Sequence, residues 1–76
     1  MEKNTSLYFQ EGTSDKVYHI QLKKKDSGYV VNFQYGRRKG SLKEDTKTLV
    51  PISLGAAEHV YSKLLQEKLK KGYREM

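Results

Sequence analysis

Apolar and polar residues alternate along the first two thirds of the chain. The alternation is clearest over residues 29–35, where every second side chain is aromatic or β-branched. A period of two is typical of a β-strand with one buried face. Two shorter segments of similar composition, residues 7–10 and 17–22, predict two further strands. The first half of the chain therefore predicts an antiparallel sheet rather than a helical bundle.

Turn-forming residues separate the predicted strands. Residues 11–15 and 26–28 have turn composition, and we expect Gly28 to supply a positive φ in a tight hairpin. A fourth strand is expected within residues 42–50, with residues 47–50 as its most favourable part.

A different spacing, of three and four residues, predicts one helix near the end of the chain. Ser53 is a suitable N-cap, and Gly72 stands where a helix commonly ends. We expect Tyr73 to seal that end against the sheet. The predicted fold is therefore α+β, a small antiparallel sheet of about four strands with one C-terminal amphipathic helix packed on one face. The apolar stripe of this helix comprises Ala56, Ala57, Val60, Tyr61, Leu64, Leu65 and Leu69.

The length of 76 residues indicates one domain. We expect a flexible N-terminal tail over residues 1–5, a single domain over residues 6–74 and a C-terminal tail over residues 75–76. A chain of this size has a thin core. Little room remains for a walled active site, so we do not expect an enzyme.

Composition excludes several other classes of site. Cysteine is absent, which excludes disulfides, thiolate metal sites and thiol catalysis and fits a cytoplasmic location. His19 and His59 lie 40 positions apart, and a metal site needs three or four convergent ligands. We therefore expect no metal and no cofactor. No apolar run approaches the ~18 residues of a transmembrane helix.

Charge points to an anionic partner. Fifteen Lys and Arg against nine Asp and Glu give a formal net charge of +6, which favours nucleic acid or acidic lipid, although a solvated basic surface is also common. The helical stripe is needed for the core, so we expect no membrane partner. Two of the three arginines are adjacent within the glycine-flanked residues 36–40, whereas the lysines at residues 23–25 fit a solvated turn.

The residues around this basic turn allow two interpretations each. Tyr35 could stack on a base or sugar, or belong to the core with its alternating neighbours. Arg37 and Arg38 could bind phosphate, or form a solvated tip. Gly36 fits a backbone role better than a direct contact, and Lys16 could reach phosphate or remain a surface lysine. The candidate nucleic-acid-binding residues are Lys16, Tyr35, Gly36, Arg37, Arg38 and Lys39.

The order of these motifs is similar to that of the WGR domain, named for Trp-Gly-Arg and found in poly(ADP-ribose) polymerases and in bacterial proteins. The resemblance spans roughly residues 7–74 and is greatest to the bacterial branch, which shares Tyr-Gly-Arg-Arg. The matching segments are Lys16, Val17 and Tyr18 in one strand, Tyr35, Gly36 and Arg37 at the end of another, Thr46, Lys47 and Thr48, and Lys71, Gly72 and Tyr73 after the helix.

The resemblance implies a non-catalytic module that binds DNA and relays that binding to other domains. It implies sugar packing for Tyr35, in place of the family's Trp, and phosphate or domain contact for Arg37. Asp15 stands where the family often has Asn, while Arg38 and Lys39 add positive charge that favours less specific phosphate binding. We expect a monomer that binds nucleic acid, DNA more than RNA. The alternative is a protein–protein or interdomain module of a larger bacterial protein.

Overall fold

The computed structural model describes residues 2–76 as one antiparallel sheet with one helix against it. The strand order across the sheet is β4-β3-β2-β1-β5. The predicted α+β class and the single C-terminal helix are confirmed, with one short strand more than expected. The elements are β1 (Lys3–Glu11), β2 (Ser14–Lys25), β3 (Gly28–Arg37), β4 (Lys43–Thr46), α1 (Leu54–Lys70) and β5 (Arg74–Glu75).

The core lies between the sheet and α1. Four strand side chains are fully buried there: Leu7, Ile20, Leu22 and Val31. The helix covers them with Ala57, Tyr61 and Leu64, while Val60, Leu65 and Leu69 pack partly buried around them. The predicted helical stripe thus faces the sheet, except that Ala56 is exposed.

Both predicted ends of the helix are confirmed. The Ser53 side chain accepts a hydrogen bond from the Ala56 amide at 3.3 Å, which satisfies one of the free amides of the first turn. Gly72 follows the C-cap with φ of +104°, and its amide donates to the Leu69 carbonyl at 3.1 Å. Tyr73 then packs on Phe9, with 5.6 Å between ring centroids, as expected for a residue that seals the helix end.

The fourth strand differs from the sequence prediction. Residues 47–50 were the most favourable segment by composition, but β4 is Lys43–Thr46. The Thr48 hydroxyl accepts a hydrogen bond from the Val31 amide at 3.2 Å. The Lys47 amide donates to the Val31 carbonyl at 2.9 Å, so a side chain and a single backbone amide take the place of a regular strand at this edge position of β3, and residues 47–50 form a loop.

The glycine of the β2–β3 hairpin acts by size and not by φ. The positive φ belongs to Asp26, at 55°, whereas Gly28 has none. A Cβ on Gly28 would lie 2.9 Å from both the Ile52 carbonyl oxygen and the Pro51 Cβ. Gly28 is therefore required because the segment before α1 crosses directly over it.

The sheet extends into both segments for which the sequence predicts tails. β1 begins at Lys3, and residues 3–5 pair with residues 20–22 of β2. Residue 1 of the predicted tail lies outside the described residues. At the other end, β5 pairs Arg74 with Tyr8 and Glu75 with Leu7. Because β2 has 12 residues, it offers backbone partners to the whole of β1, whatever the polarity of the side chains.

Candidate nucleic-acid interface

The basic turn, residues 36–40, lies where β3 leaves the sheet beside the start of β2. The Arg38 amide donates to the Asp15 carbonyl at 3.0 Å, and the Gly40 amide donates to the Arg37 carbonyl at 3.1 Å. The first bond holds the turn against the start of β2, and the second closes the turn itself. A shallow groove between the basic turn and the start of β2 is lined by residues 13–16 and 37–39. The fold thus brings Lys16 next to the basic turn, although the two are about twenty positions apart in sequence.

Gly36 determines the path of the turn. Its φ is +156°, and a Cβ there would lie 3.0 Å from the Ser41 carbonyl oxygen and 3.3 Å from Leu42 Cδ2. Gly40 has no such constraint, since a Cβ there would meet Arg37 Cβ at an ordinary 3.5 Å. The structure therefore supports the backbone interpretation of Gly36.

Lys16 and Arg37 are directly opposite each other in the β2–β3 ladder, so their side chains lie on the same face of the sheet. Both residues are exposed. Within residues 2–76, neither side chain forms an ion pair. Like charges directly opposite each other on adjacent strands are unfavourable. This pair is therefore a concentration of positive charge that the described part of the chain leaves uncompensated.

Arg38 has a different environment from Arg37. Its Nε atom lies 3.0 Å from Oδ1 of Asp15, and its guanidinium carbon lies 5.7 Å from the Tyr8 ring centroid. By strand register Tyr8 belongs to the sheet face opposite α1, whereas Arg37 belongs to the face that α1 covers. The adjacent arginines, considered together in the sequence, are thus separated. Arg38 is held by the chain's own carboxylate, and Lys39 is exposed at the tip.

Tyr35 packs against its neighbours on one side and remains partly exposed on the other. Its ring centroid lies 6.0 Å from that of Tyr18 and 5.8 Å from that of Phe33. The residue nevertheless remains 38% exposed. Alternation along β3 places Tyr35 on the same face as Arg37, next to the Lys16–Arg37 pair.

Two lysines that sequence reasoning did not assign to the site complete this surface. The Lys68 ammonium lies 4.7 Å from the Tyr18 ring centroid, and the Lys47 ammonium lies 5.6 Å from that of Phe33. From the sequence, Lys68 is explained as a cation that interacts favourably with the C-terminal end of the helix dipole. No local sequence pattern shows that the helix ends above the aromatic residues.

Two pKa shifts follow from this packing. Burial lowers the pKa of the Lys68 amine below its ordinary 10.5, and the positive charges of Lys71 and Lys47 lower it further, against an opposing effect of Glu67. Burial raises the pKa of the Tyr18 phenol above its ordinary 10.0, with a smaller contribution from the negative charge of Glu67. The lowered lysine pKa follows first from the burial of the amine against the Tyr18 ring and only secondarily from the neighbouring charges.

The fold also brings together a histidine and a serine, two side chains of types that can take part in catalysis. His19 Nδ1 and Ser6 Oγ lie 2.9 Å apart across β1 and β2, on the face opposite α1. Among residues 2–76, no group of three or more metal-ligating side chains could hold a metal ion. In the same part of the chain, no helix is long and apolar enough to cross a membrane.

Comparison with known proteins gives one match. The model of a family described as "WGR domain" matches residues 3–76. Searches of curated proteins and of solved structures find no match to the chain.

Proposed function

The chain belongs to the WGR domain family, and from this premise we propose that it is a non-catalytic module that binds nucleic acid mainly through phosphate groups. The observation that carries the proposal is the Lys16–Arg37 pair. Two unneutralised cations face each other across a ladder, and a phosphate between or beside them would replace their repulsion with charge-assisted hydrogen bonds. The family resemblance favours DNA over RNA as the ligand.

The groove beside the basic turn has features of a phosphate-binding surface. Lys16, Arg37 and Lys39 line it as exposed cations. The Asp15 side chain also lines it, but its charge is matched by Arg38. Contacts to phosphate position a protein on nucleic acid without reading its sequence. We therefore expect binding with little base preference and strong dependence on salt.

The interior supports the non-catalytic part of the proposal. The space between sheet and helix is filled by aliphatic and aromatic side chains. Thr48 is buried with its hydroxyl used by the Val31 backbone, and the hydroxyl of the buried Tyr61 is hydrogen-bonded to the Thr5 side chain. Ser6 and His19 contact each other on the open sheet face, where nothing in the described chain forms a walled substrate pocket around them.

Salt dependence of DNA binding tests the proposal. If about four phosphates are neutralised, log K should fall against log salt with a slope near −3 to −4. The variant Lys16→Gln with Arg37→Gln should reduce the magnitude of that slope by roughly 1.5 to 2. The matched control is Lys23→Gln with Lys25→Gln, which removes the same charge about 24 to 31 Å away along β2.

The control variant shows whether DNA binding depends on the position of the removed charges or only on their number. We expect it to lower affinity slightly while its salt slope stays close to that of the wild type. Equal effects of the two double variants would show that net charge alone governs binding. Unchanged binding of the Lys16 and Arg37 variant would remove the basic turn from the interface.

A protein-interaction module is the second candidate, and one observation favours it. Leu49 is 95% exposed and the adjacent Val50 is 66% exposed, in the loop between β4 and α1. Adjacent exposed apolar side chains are a common feature of protein contact sites. Leu49→Ser with Val50→Ser should abolish binding to a protein partner and leave DNA affinity unchanged. Loss of DNA affinity in this variant would contradict the separation of the two surfaces.

A further inference from the structure

The aromatic residues beside the basic turn narrow the class of ligand. On the basis of the proposed function, we infer that the preferred ligand is single-stranded nucleic acid, with one base stacked on Tyr35. The nucleic acid strand lies along a row of three side chains on β3, Phe33, Tyr35 and Arg37, which we call the β3 track. These three residues occupy alternate positions of β3 and share the face that α1 covers.

Tyr35 has the most accessible ring of three neighbouring aromatic residues, Tyr18, Phe33 and Tyr35. Lysine ammonium groups lie over the other two, Lys68 over Tyr18 and Lys47 over Phe33. The cation–ring contacts of the described chain do not include Tyr35, which is also the most exposed of the three. An exposed aromatic ring with its neighbours fixed is suited to stacking on an unpaired base.

Cations surround this ring on the sides where a nucleic acid backbone would pass. Arg37 is two residues along the β3 track, about 6.7 Å away, and Lys16 is opposite Arg37. Lys43 is opposite Tyr35 on β4. With Lys68 over the neighbouring Tyr18 ring, positive charge is present both before and after Tyr35. Phosphates on either side of one stacked base therefore have cations within reach.

Stacking on Tyr35 requires a base with a free face. Successive bases in duplex DNA are ~3.4 Å apart along a strand, which leaves no room for an aromatic ring between them. The faces of paired bases are covered by their neighbours, so an exposed ring on a protein surface contacts a base face only after unstacking. A single strand exposes these faces at little energetic cost.

Carboxylates limit the length of the surface. Asp45 is opposite Phe33 on β4. Glu67 lies 4.0 Å from the Lys68 ammonium and 3.8 Å from that of Lys71. These negative charges mark the far end of the basic region. We therefore expect a short contact of about four nucleotides, at the low end of the range for small single-strand-binding folds.

A direct comparison of two probes tests this inference. One is a labelled oligothymidylate of about twelve nucleotides, within the range that small folds occupy. The other is a duplex of similar charge whose ends are both closed by loops, so that no terminal base pair is exposed. We expect the oligothymidylate to bind at least roughly tenfold more tightly at equal salt, since one stacked base alone supplies about that factor.

Variants of Tyr35 test whether the preference for single-stranded DNA depends on the aromatic ring of this residue. Tyr35→Leu keeps an apolar side chain without a π-face and should weaken oligothymidylate binding by roughly 5- to 100-fold. Tyr35→Phe restores a π-face and should recover most of that loss. Tyr35→Met, an unbranched apolar side chain that also lacks a π-face, provides the same test should Tyr35→Leu fail to fold, and should likewise reduce the single-strand preference.

The possible outcomes separate this inference from the proposed function. Equal or tighter binding of the closed duplex, with loss of binding in the Lys16→Gln and Arg37→Gln variant, would overturn the single-strand inference and leave the proposed function standing. A single-strand preference that Tyr35→Leu does not change would also overturn the inference. Failure of both probes to bind would overturn the proposed function itself.

Discussion

Asp15 holds Arg38 by two separate contacts. Its backbone carbonyl accepts a hydrogen bond from the Arg38 amide at 3.0 Å, and its Oδ1 lies 3.0 Å from Arg38 Nε. The second contact neutralises one of the two adjacent arginines. Under the proposed function, phosphate binding at the basic turn would therefore depend on Arg37, together with Lys16 and Lys39, and Asp15 would limit the contribution of Arg38.

Removal of the Asp15 charge should increase affinity for nucleic acid. Asp15→Asn keeps the size of the side chain, removes a negative charge from the groove and releases Arg38 for phosphate contact. We expect a severalfold increase in affinity for DNA at moderate salt and a steeper salt slope. Because both partners are part-exposed, stability should change by less than about 1 kcal/mol.

The matched control for this variant is Asp26→Asn. Asp26 lies in the β2–β3 hairpin at the other end of the sheet, and Asn tolerates the positive φ found there. The control makes the same change in net charge far from the basic turn. Fluorescence anisotropy with one labelled oligonucleotide measures both variants. An equal gain in affinity for the two would show that Asp15 has no local effect.

A second prediction concerns the backbone of the basic turn. Gly36→Ala should destabilise the domain by about 1–3 kcal/mol, because φ is +156° and the new Cβ would lie 3.0 Å from the Ser41 carbonyl oxygen. Gly40→Ala should change stability by less than about 0.5 kcal/mol. Urea denaturation followed by circular dichroism measures both. Similar losses in the two variants would contradict the assigned role of Gly36.

The raised pKa of Tyr18 predicts loss of stability in alkali. Above about pH 10 an unfolded Tyr18 ionises, whereas the folded phenol keeps its proton because burial raises its pKa. The unfolded state then binds fewer protons, so stability falls as pH rises, by about 1.4 kcal/mol per pH unit from this residue. Below pH 9 this contribution is fully present.

Tyr18→Phe isolates that effect. It removes the ionisable group and keeps the ring under Lys68, whose lowered pKa acts in the opposite direction and is common to both proteins. The free energy of unfolding should therefore decline less steeply in Tyr18→Phe than in the wild type between pH 10 and 11.5. Parallel declines would show that Tyr18 ionises equally in the folded and unfolded protein.

The sequence predicts the elements in which the hydrophobic pattern repeats often enough to distinguish a strand from a helix. β3 and α1 each extend over several repeats, so their buried faces are determined by pattern alone. β4 was misplaced because composition favours residues 47–50, while the Thr48 hydroxyl occupies the edge of β3 by a contact between distant residues. The outer parts of β1 are polar, and their pairing depends on the length of β2 rather than on their own residues. The short β5 is also polar and pairs with the free edge of β1.

The charge of the candidate site is visible in the sequence, whereas the pairing of its side chains is not. The basic turn is continuous in sequence, so its charge is visible directly. The pairing of Lys16 with Arg37 depends on strand register, and the partnership of Arg38 with Asp15 depends on which face each side chain takes. Lys47 and Lys68 reach the aromatic residues from a loop and from the last turn of α1, and no local motif identifies such contacts.

The most direct test of the account is a map of amide chemical shifts of the ¹⁵N-labelled domain during titration with an oligonucleotide at low and moderate salt. The account predicts shifts at residues 13–16 and 35–40, reduced by added salt, with residues 23–28 and 48–50 unaffected. Shifts concentrated at residues 23–28 or 48–50, or no shifts at low salt, would contradict the claim that the Lys16–Arg37 end of the sheet binds nucleic acid.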